Sequence, residues 1–344
     1  MKRIDICGRS IGDGFPPLVI AEIGINHEGD VKRAIRMIDD AAAVGCECVK
    51  FQTHIVEDEM IPNTVTPANA NETIWEIMKR CALSEADERM LKNYTESKGM
   101  IFLSTPFSRA AALRLHSLNV GAFKIGSGEC NNYPLVDVIA GLGRPIILST
   151  GMNDIPSIEK AVAILRQHKV PYSLMHCTSV YPTPYEEVRL GALAELGSGF
   201  PDAVIGFSDH SMGIYPSLAA IALGAHVVEK HFTSTKDWPG PDIPMSILPD
   251  ELAQLIDGSR VIFRCNGGRK GVLDAEAATI EFAYACVVAI ADIAPGDFLT
   301  RANIWVKRPG TGEIKAEHYS DVLGRRAVRR IDKNEQIRWG DTLE

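Results

Sequence analysis

Two lysines, Lys50 and Lys124, stand inside apolar runs, CVKFQ and AFKIG. An ammonium group in such a setting needs an anion or a route to water, because an isolated buried charge is expensive. Hydroxyl donors stand at comparable places in other apolar runs: Thr105, Ser127, Ser149 and Ser208. A positioned ammonium with several short donors makes a cradle for a compact dianion bearing phosphate and carboxylate. The same lysines could instead form a Schiff base with a carbonyl substrate, the chemistry of an aldolase. These residues alone leave both readings open. His210, in GFSDH, and His231, in EKHF, end two successive apolar runs. Two imidazoles from adjacent strands, with positions left for water and substrate, suit a divalent metal used as a Lewis acid. An ordinary hydrogen-bonded histidine is the competing reading. Glu22, at the end of PLVIAE, could hold a substrate hydroxyl, contact a metal-bound water or move a proton.

The elements that must position these groups are regular. Apolar runs at 17–24, 46–53, 99–105, 120–127, 144–150, 171–178, 202–208 and 225–232 carry apolar residues on both alternating faces, as strands covered on both sides do. Amphipathic stretches separate them, the first being DVKRAIRMIDDAAAVG, with Asp30 placed to cap it and Gly45 to end it. Others fall at about 84–98, 108–117, 133–142, 155–167, 188–197, 213–223 and 249–264. Strand and helix alternate eight times over roughly 250 residues, the count and length of a (β/α)8 barrel. No glycine-rich dinucleotide fingerprint follows the first strand, which argues against a doubly wound nucleotide fold. In a (β/α)8 barrel the reactive groups belong at the carboxyl ends of the strands. Polar residues stand at every predicted end: Glu22, Asn26 and His27; Lys50, Gln52 and His54; Ser104 and Thr105; Lys124, Ser127 and Glu129; Ser149 and Thr150; His176 and Thr178; Ser208, Asp209 and His210; Glu229 and His231. Eight such ends are expected to converge on one site.

Residues 1–264 are therefore expected to form a catalytic barrel with a short N-terminal extension. The segment 265–281, opening CNGGRKG, reads as a linker, and 282–344 as a small domain of short strands. The formal net charge of −8 argues against a nucleic-acid partner. Hydrophobic residues at 46% and charged residues at 23% fit a folded, water-soluble chain, and no apolar run is long enough to predict a membrane span. The eight cysteines lack the spacing of a zinc knuckle or redox pair, and several lie in apolar runs, so reduced thiols and a cytoplasmic location are expected.

The segments EIGINHEGD, VKFQTHIVEDEM, STPFSRAAALRL, FKIGSGECNNYPL, HCTSVYPTPYEEVRLG, GFSDHSMG, PGPD and WVKRPGTGE resemble the bacterial N-acetylneuraminate (sialic acid) synthases, from about residue 17 to the C-terminus. The resemblance implies a (β/α)8 TIM barrel followed by a small antifreeze-like (SAF-type) domain, and a domain-swapped homodimer. It implies a transferase that joins phosphoenolpyruvate to N-acetylmannosamine with a divalent metal, manganese or magnesium. His210 and His231 match the metal ligands. Lys50, Thr105, Lys124, Ser127, Ser149 and Ser208 match positions that hold phosphoenolpyruvate. Gln52, Asn69, Tyr181, Asp242 and Arg308 match positions that hold the sugar, Arg308 coming from the partner subunit. Glu22 matches a carboxylate near the reacting aldehyde, and Ser179 a polar position that varies among relatives. Under this resemblance the Schiff-base reading recedes. The alternatives are synthases for legionaminic or pseudaminic acid and, from another class, a barrel aldolase.

Overall fold

The computed structural model describes residues 2–344 as two compact units that meet in sequence between Gly267 and Gly268. In the first unit the eight expected strands are present: Leu18–Gly24, Cys48–Thr53, Ile101–Pro106, Phe123–Ile125, Ile146–Ser149, Tyr172–Cys177, Val204–Asp209 and Val227–His231. All are parallel, and the first pairs with the eighth, Glu22 standing opposite His231 and Ile20 opposite Glu229. The third and fourth strands lie side by side but share no hydrogen-bonded ladder, so the closed sheet has one loose seam. Helices return the chain between strands, for example Val31–Ala43, where the Asp30 carboxylate accepts from the Lys32 amide at the N-terminus. The architecture is a TIM barrel.

The barrel interior follows from the period-two alternation of strands. Stepping by two along each strand, the inward series runs Leu18, Ile20, Glu22; Cys48, Lys50, Gln52; Leu103, Thr105; Ala122, Lys124; Ile147, Ser149; Met175, Cys177; Val204, Gly206, Ser208; and Val227, Glu229, His231. Every series begins apolar, and all end in a charged, amide, hydroxyl or imidazole group except the sixth, which ends in Cys177. The apolar layer packs with Ile4, Ile6 and Ile11 of an N-terminal hairpin, Arg3–Ile6 with Arg9–Gly12, which plugs the amino-terminal end of the barrel. Outward residues of the same strands pack against the helices in a second, larger core.

Two outward residues break the apolar pattern. Lys230 and Asp209 face each other across the seventh and eighth strands, with Lys230 Nζ 3.1 Å from Asp209 Oδ2. Both side chains are fully buried. Lys230 also donates to the Ser211 carbonyl, and Asp209 accepts from the Ser211 amide, the Ser211 hydroxyl and Ser217 Oγ on helix Tyr215–Ala222. Each residue immediately precedes a histidine of interest, so the pair ties the ends of these two strands together.

A short helix, Ile74–Cys81, follows the second strand and has no counterpart in the expected pattern. Thr73 and Glu76 form a reciprocal capping box at its start, and Ile77, Met78 and Cys81 pack with Ile25 and Val56 over the barrel. In the second unit, Cys286–Ala289 pairs antiparallel with Ile304–Lys307, and Arg326–Ala327 with Thr342–Leu343. These enclose a core of Val287, Ile293, Leu299, Ile304, Ile314 and Ile337. Part of the stretch expected as linker is helical: a 3-10 turn at Asp274–Glu276 leads into helix Ala277–Ala283, because AEAATIEFA contains no glycine or proline to interrupt it.

Replacing Lys230 with Met would leave Asp209 buried without its cation. The barrel should lose about 3–5 kcal/mol of stability, the usual cost of breaking a buried ion pair from one side. Chemical denaturation followed by far-UV circular dichroism checks this, and Lys230→Met combined with Asp209→Leu should recover much of the loss. A single variant as stable as the parent would remove the structural role given to the pair.

Candidate active site

The inward polar layer opens into a cavity of about 170 Å³ at the carboxyl ends of the strands. At its floor Lys50 Nζ lies 2.8 Å from Glu22 Oε2, 3.5 Å from Glu229 Oε1 and 3.2 Å from Thr105 Oγ1. Lys124 Nζ donates to Ser149 Oγ at 2.6 Å and lies 3.7 Å from Glu229 Oε2. Glu229 thus sits between the two ammonium groups. Its carboxyl is held below the usual range: burial works to raise it, but Lys124 and Lys50 outweigh burial. Glu22 goes the other way, to about 7, because burial comes first and the neighbouring Glu229 adds to it, against the pull of Lys50. Burial thus works against the Glu22 charge while Glu229 is shared by both lysines, an arrangement in which an incoming anion can take over part of the pairing of the ammonium groups.

Ser127 stands on a 3-10 turn, Ser127–Glu129, where its hydroxyl accepts from the Gly151 amide at 3.0 Å. Ser208 donates to Glu229 at 3.4 Å, and Ser179 lines the same cavity. Gly24 has φ +53, at a break in register between the first and second strands. A side-chain carbon there would fall 2.9 Å from Glu22 Oε1 and 3.3 Å from Gln52 Nε2, so both side-chain ends would have to shift from the 3.1 Å bond they make, and the positive φ itself favours glycine. Gln52 in turn accepts from His54 Nε2 at 3.0 Å, and His54 Nδ1 contacts Glu59 Oε2 at 2.7 Å.

His210 and His231 face the cavity with ring centroids 5.4 Å apart, and the Tyr181 ring lies 4.2 Å from that of His210. His210 Nδ1 donates to the Thr178 carbonyl at 2.9 Å, which leaves Nε2 unused. His231 Nδ1 is buried with no hydrogen-bond partner, 3.8 Å from Asp242 Oδ2. Burial, followed by the nearby His210 and Lys50 charges, keeps the His231 ring neutral, the form that ligates a metal. Burial also lowers His210, but the adjacent Cys177 and the Thr178 carbonyl outweigh it and lift the ring to about 9. A cation would have to displace that proton. No group of three His, Cys, Asp or Glu side chains among the described residues is arranged to enclose a metal. The orphaned nitrogen and the pair of imidazoles fit a divalent ion whose remaining positions belong to water or substrate.

A second, outer cavity of about 370 Å³ adjoins the first, sharing Gln52, Phe107, Tyr181 and His231. Asn69 and Asp242 line this outer space, and Asn69 Nδ2 donates to the Pro241 carbonyl at 3.2 Å. Twelve of the fifteen expected site residues thus line the inner cavity, and Asn69 and Asp242 line the outer one. Arg308 lies in the second unit, exposed, just beyond strand Ile304–Lys307.

All eight strand ends reach the inner cavity, but not every polar residue named at them does, and the sixth contributes Cys177 in place of His176 and Thr178. Asn26 instead donates to the Phe232 carbonyl and Ser246 Oγ, and His27 Nδ1 accepts from the Gly29 amide. Ser104 pairs with Thr53, Thr150 donates to the Met175 carbonyl, His176 bonds the Val188 carbonyl, and Asp209 holds Lys230. Each of these turns away from the cavity or lies beyond the strand. Glu229 and Glu129, expected at strand ends but given no role there, line the cavity, and so does Cys177, which was not expected. The signal for Cys177 was present, since it stands two residues after the inward Met175 and so shares its face.

Set beside known proteins, residues 37–270 match the model of the NeuB family, and residues 284–342 match the SAF domain. The human N-acetylneuraminate-9-phosphate synthase is 34% identical over 97% of this chain and 95% of its own length. The N,N'-diacetyllegionaminic acid synthase of Campylobacter jejuni is 36% identical over 93% of this chain and 98% of its own. A crystal structure of the N-acetylneuraminic acid synthetase of Leptospira borgpetersenii in complex with citrate superposes with a TM-score of 0.75. It is 33% identical and covers 81% of this chain and 95% of that one.

Glu129 supplies a test of the cavity's electrostatics. Burial, then Glu59, pushes its carboxyl from 4.5 to about 7, and its Oε2 has no partner. A raised carboxyl pKa favours the protonated folded state, so its contribution is full below about 4.5 and is lost as pH rises through about 7. Glu129→Gln cannot ionise. Relative to the parent it should gain about 1–3 kcal/mol in stability between pH 5 and pH 8. Denaturation midpoints at the two pH values measure this, and an unchanged difference would contradict it.

Proposed function

This chain belongs to the NeuB family, and from that membership we propose that it condenses phosphoenolpyruvate with N-acetylmannosamine, or a close amino-sugar relative, to give a nonulosonic acid and phosphate. The observation that most supports this reading is the pair of buried ammonium groups, Lys50 and Lys124, facing one small cavity with Thr105 and Ser149 at hydrogen-bond distance. Such a floor suits a small molecule that carries phosphate and carboxylate together. Ser127 and Ser208 add donors around the same space. Gln52, Asn69, Ser179, Tyr181 and Asp242 hold the sugar where the two cavities meet, and Arg308 of the partner subunit completes its binding in a domain-swapped homodimer.

In the reaction, C3 of phosphoenolpyruvate forms a bond to C1 of the open-chain sugar, whose aldehyde oxygen becomes a hydroxyl. Water adds at C2, phosphate leaves, and a 2-keto acid results. Manganese or magnesium, held by His210 and His231, would supply Lewis-acid polarisation of the aldehyde. Lys50 and Lys124 hold the charge of the phosphate as it departs. Glu22, hydrogen-bonded by Gln52 and beside Lys50, can hold or release a proton near neutral pH. Its environment keeps it available for transfer at the reacting carbonyl. Lys50 is a poor candidate for a Schiff base, since burial lowers its pKa but Glu22 and Glu229 outweigh burial and keep it protonated. Lys124, lowered chiefly by burial, is the one lysine that favours the aldolase reading.

Purified protein given phosphoenolpyruvate, manganese and N-acetylmannosamine should release inorganic phosphate only when all three are present, and a chelator should abolish release. Cleavage of the 2-keto acid to pyruvate and the amino sugar, with borohydride trapping a pyruvate adduct at Lys124 and no phosphate release, would establish the aldolase instead. Arg308→Ala should raise the KM for the sugar at least about tenfold, with that for phosphoenolpyruvate little changed, as expected when only ground-state sugar binding is lost. An unaltered sugar KM would remove Arg308 from the site.

A further inference from the structure

Gln52 borders both cavities and reaches Glu22 through an amide whose two ends are chemically opposite. Turned over, the amide fills the same space but sets its oxygen against Glu22 Oε1, a contact that holds only while Glu22 carries a proton. With nitrogen inward, Glu22 Oε1 accepts whether or not the carboxyl is protonated. Glu22 alone does not settle the choice, since a carboxyl accepts when ionised and can donate when protonated. The other end of the amide does. There His54 Nε2 donates to Gln52 Oε1 at 3.0 Å, a bond that only the amide oxygen can receive. His54 Nδ1 lies 2.7 Å from Glu59 Oε2, so one proton is shared between ring and carboxylate and the Nε2 hydrogen is left for Gln52.

Both partners are themselves held. His54 is buried, its ring stacked on Phe107 with centroids 4.6 Å apart and planes 15° from parallel. Glu59 ends a one-turn helix, Val56–Glu59. The preceding Asp58 accepts from the Ala110 amide at 2.8 Å, which ties that turn to the start of helix Arg109–Ser117.

We propose that His54 and Glu59 are positioning residues for the reaction, holding the Gln52 amide with its nitrogen toward Glu22. The role rests on the reading above, in which Glu22 and Gln52 serve the reacting end of the sugar. Neither residue has to touch a substrate. Their effect passes through a single amide, which separates it from a direct contact: with no amide at position 52, nothing is left for them to position. A released amide would divide its time between two orientations, and misplacement beside reacting atoms costs more in rate than the lost hydrogen bond alone.

His54→Phe keeps a ring against Phe107 but removes both donors. The full-length protein is assayed with phosphoenolpyruvate, manganese and the better used of N-acetylmannosamine and 2,4-diacetamido-2,4,6-trideoxymannose. The variant should lower kcat/KM for the sugar by on the order of tenfold or more, with the KM for phosphoenolpyruvate changed less than about twofold. His54→Phe leaves Glu59 without its partner, so His54→Phe with Glu59→Leu is made beside it. That double variant should regain stability by circular dichroism but keep the kinetic loss. In a Gln52→Ala background, His54→Phe should cost less than about twofold more. A further loss as large as in the parent overturns the inference, because it places His54 directly on substrate or in the fold.

NMR of isotopically labelled glutamine amides gives a readout that needs no turnover. The Gln52 amide signals, identified by their loss in Gln52→Ala, should shift and exchange faster with solvent in both His54 variants. Signals unmoved by His54→Phe overturn the inference even if Gln52→Ala is inactive. Absence of phosphate release from the parent overturns the proposed reaction and the role in it, while the amide signals still decide whether the pair orients Gln52.

Discussion

Two ammonium groups and two carboxylates share the upper half of a closed barrel, and their mutual spacing is the condition on which the rest of the molecule depends. Isolated, any of the four would be driven to its neutral form or out of the core. Together, Lys50, Lys124, Glu22 and Glu229 hold one another within 2.8 to 3.7 Å. That arrangement demands strands that cannot slide, because a one-residue slip would turn every inward group outward. The parallel ladder provides the register, and the apolar layer beneath, capped by Ile4, Ile6 and Ile11, provides a dry foundation. On the outer side the Lys230–Asp209 pair fixes the two strands that deliver His210 and His231. Charge inside the barrel and charge behind it therefore serve one purpose, to hold reactive groups in place without help from a flexible loop.

The inner and outer cavities divide the chemistry between them. The inner floor is small, cationic and hydroxyl-rich. The outer wall is larger, with carboxylates and aliphatic side chains. His231, Tyr181, Phe107 and Gln52 border both, and Gln52 joins Glu22 to His54 and Glu59 through one amide. An amide that donates on one side and accepts on the other cannot be turned over without breaking both bonds. Its orientation is consequently set by groups on either side of the boundary.

Much of this was legible in the amino-acid sequence. The eight apolar runs and the helices between them were plain because buried parallel strands are apolar on both faces and their helices carry regular spacing. Residues at strand ends were plain as candidates, but which way each points was less so. His27, His176 and Asp209 were indistinguishable by type from true cavity residues until the inward and outward faces were known. Glu229 was visible at its strand end, but its place between two lysines on neighbouring strands was not. The helix Ile74–Cys81 was overlooked although Thr73 and Glu76 spell its capping box, since it is an insertion of only eight residues. The N-terminal hairpin was hidden by brevity: its two strands are four residues each, and their apolar residues find their purpose only against the barrel floor.

That hairpin has a bearing on traffic. With Ile4, Ile6 and Ile11 packed into the lower barrel, the inner cavity has no passage through the amino-terminal end. Anything that reaches the lysine floor therefore comes and goes on the carboxyl-end side, where the loops after the strands control its traffic.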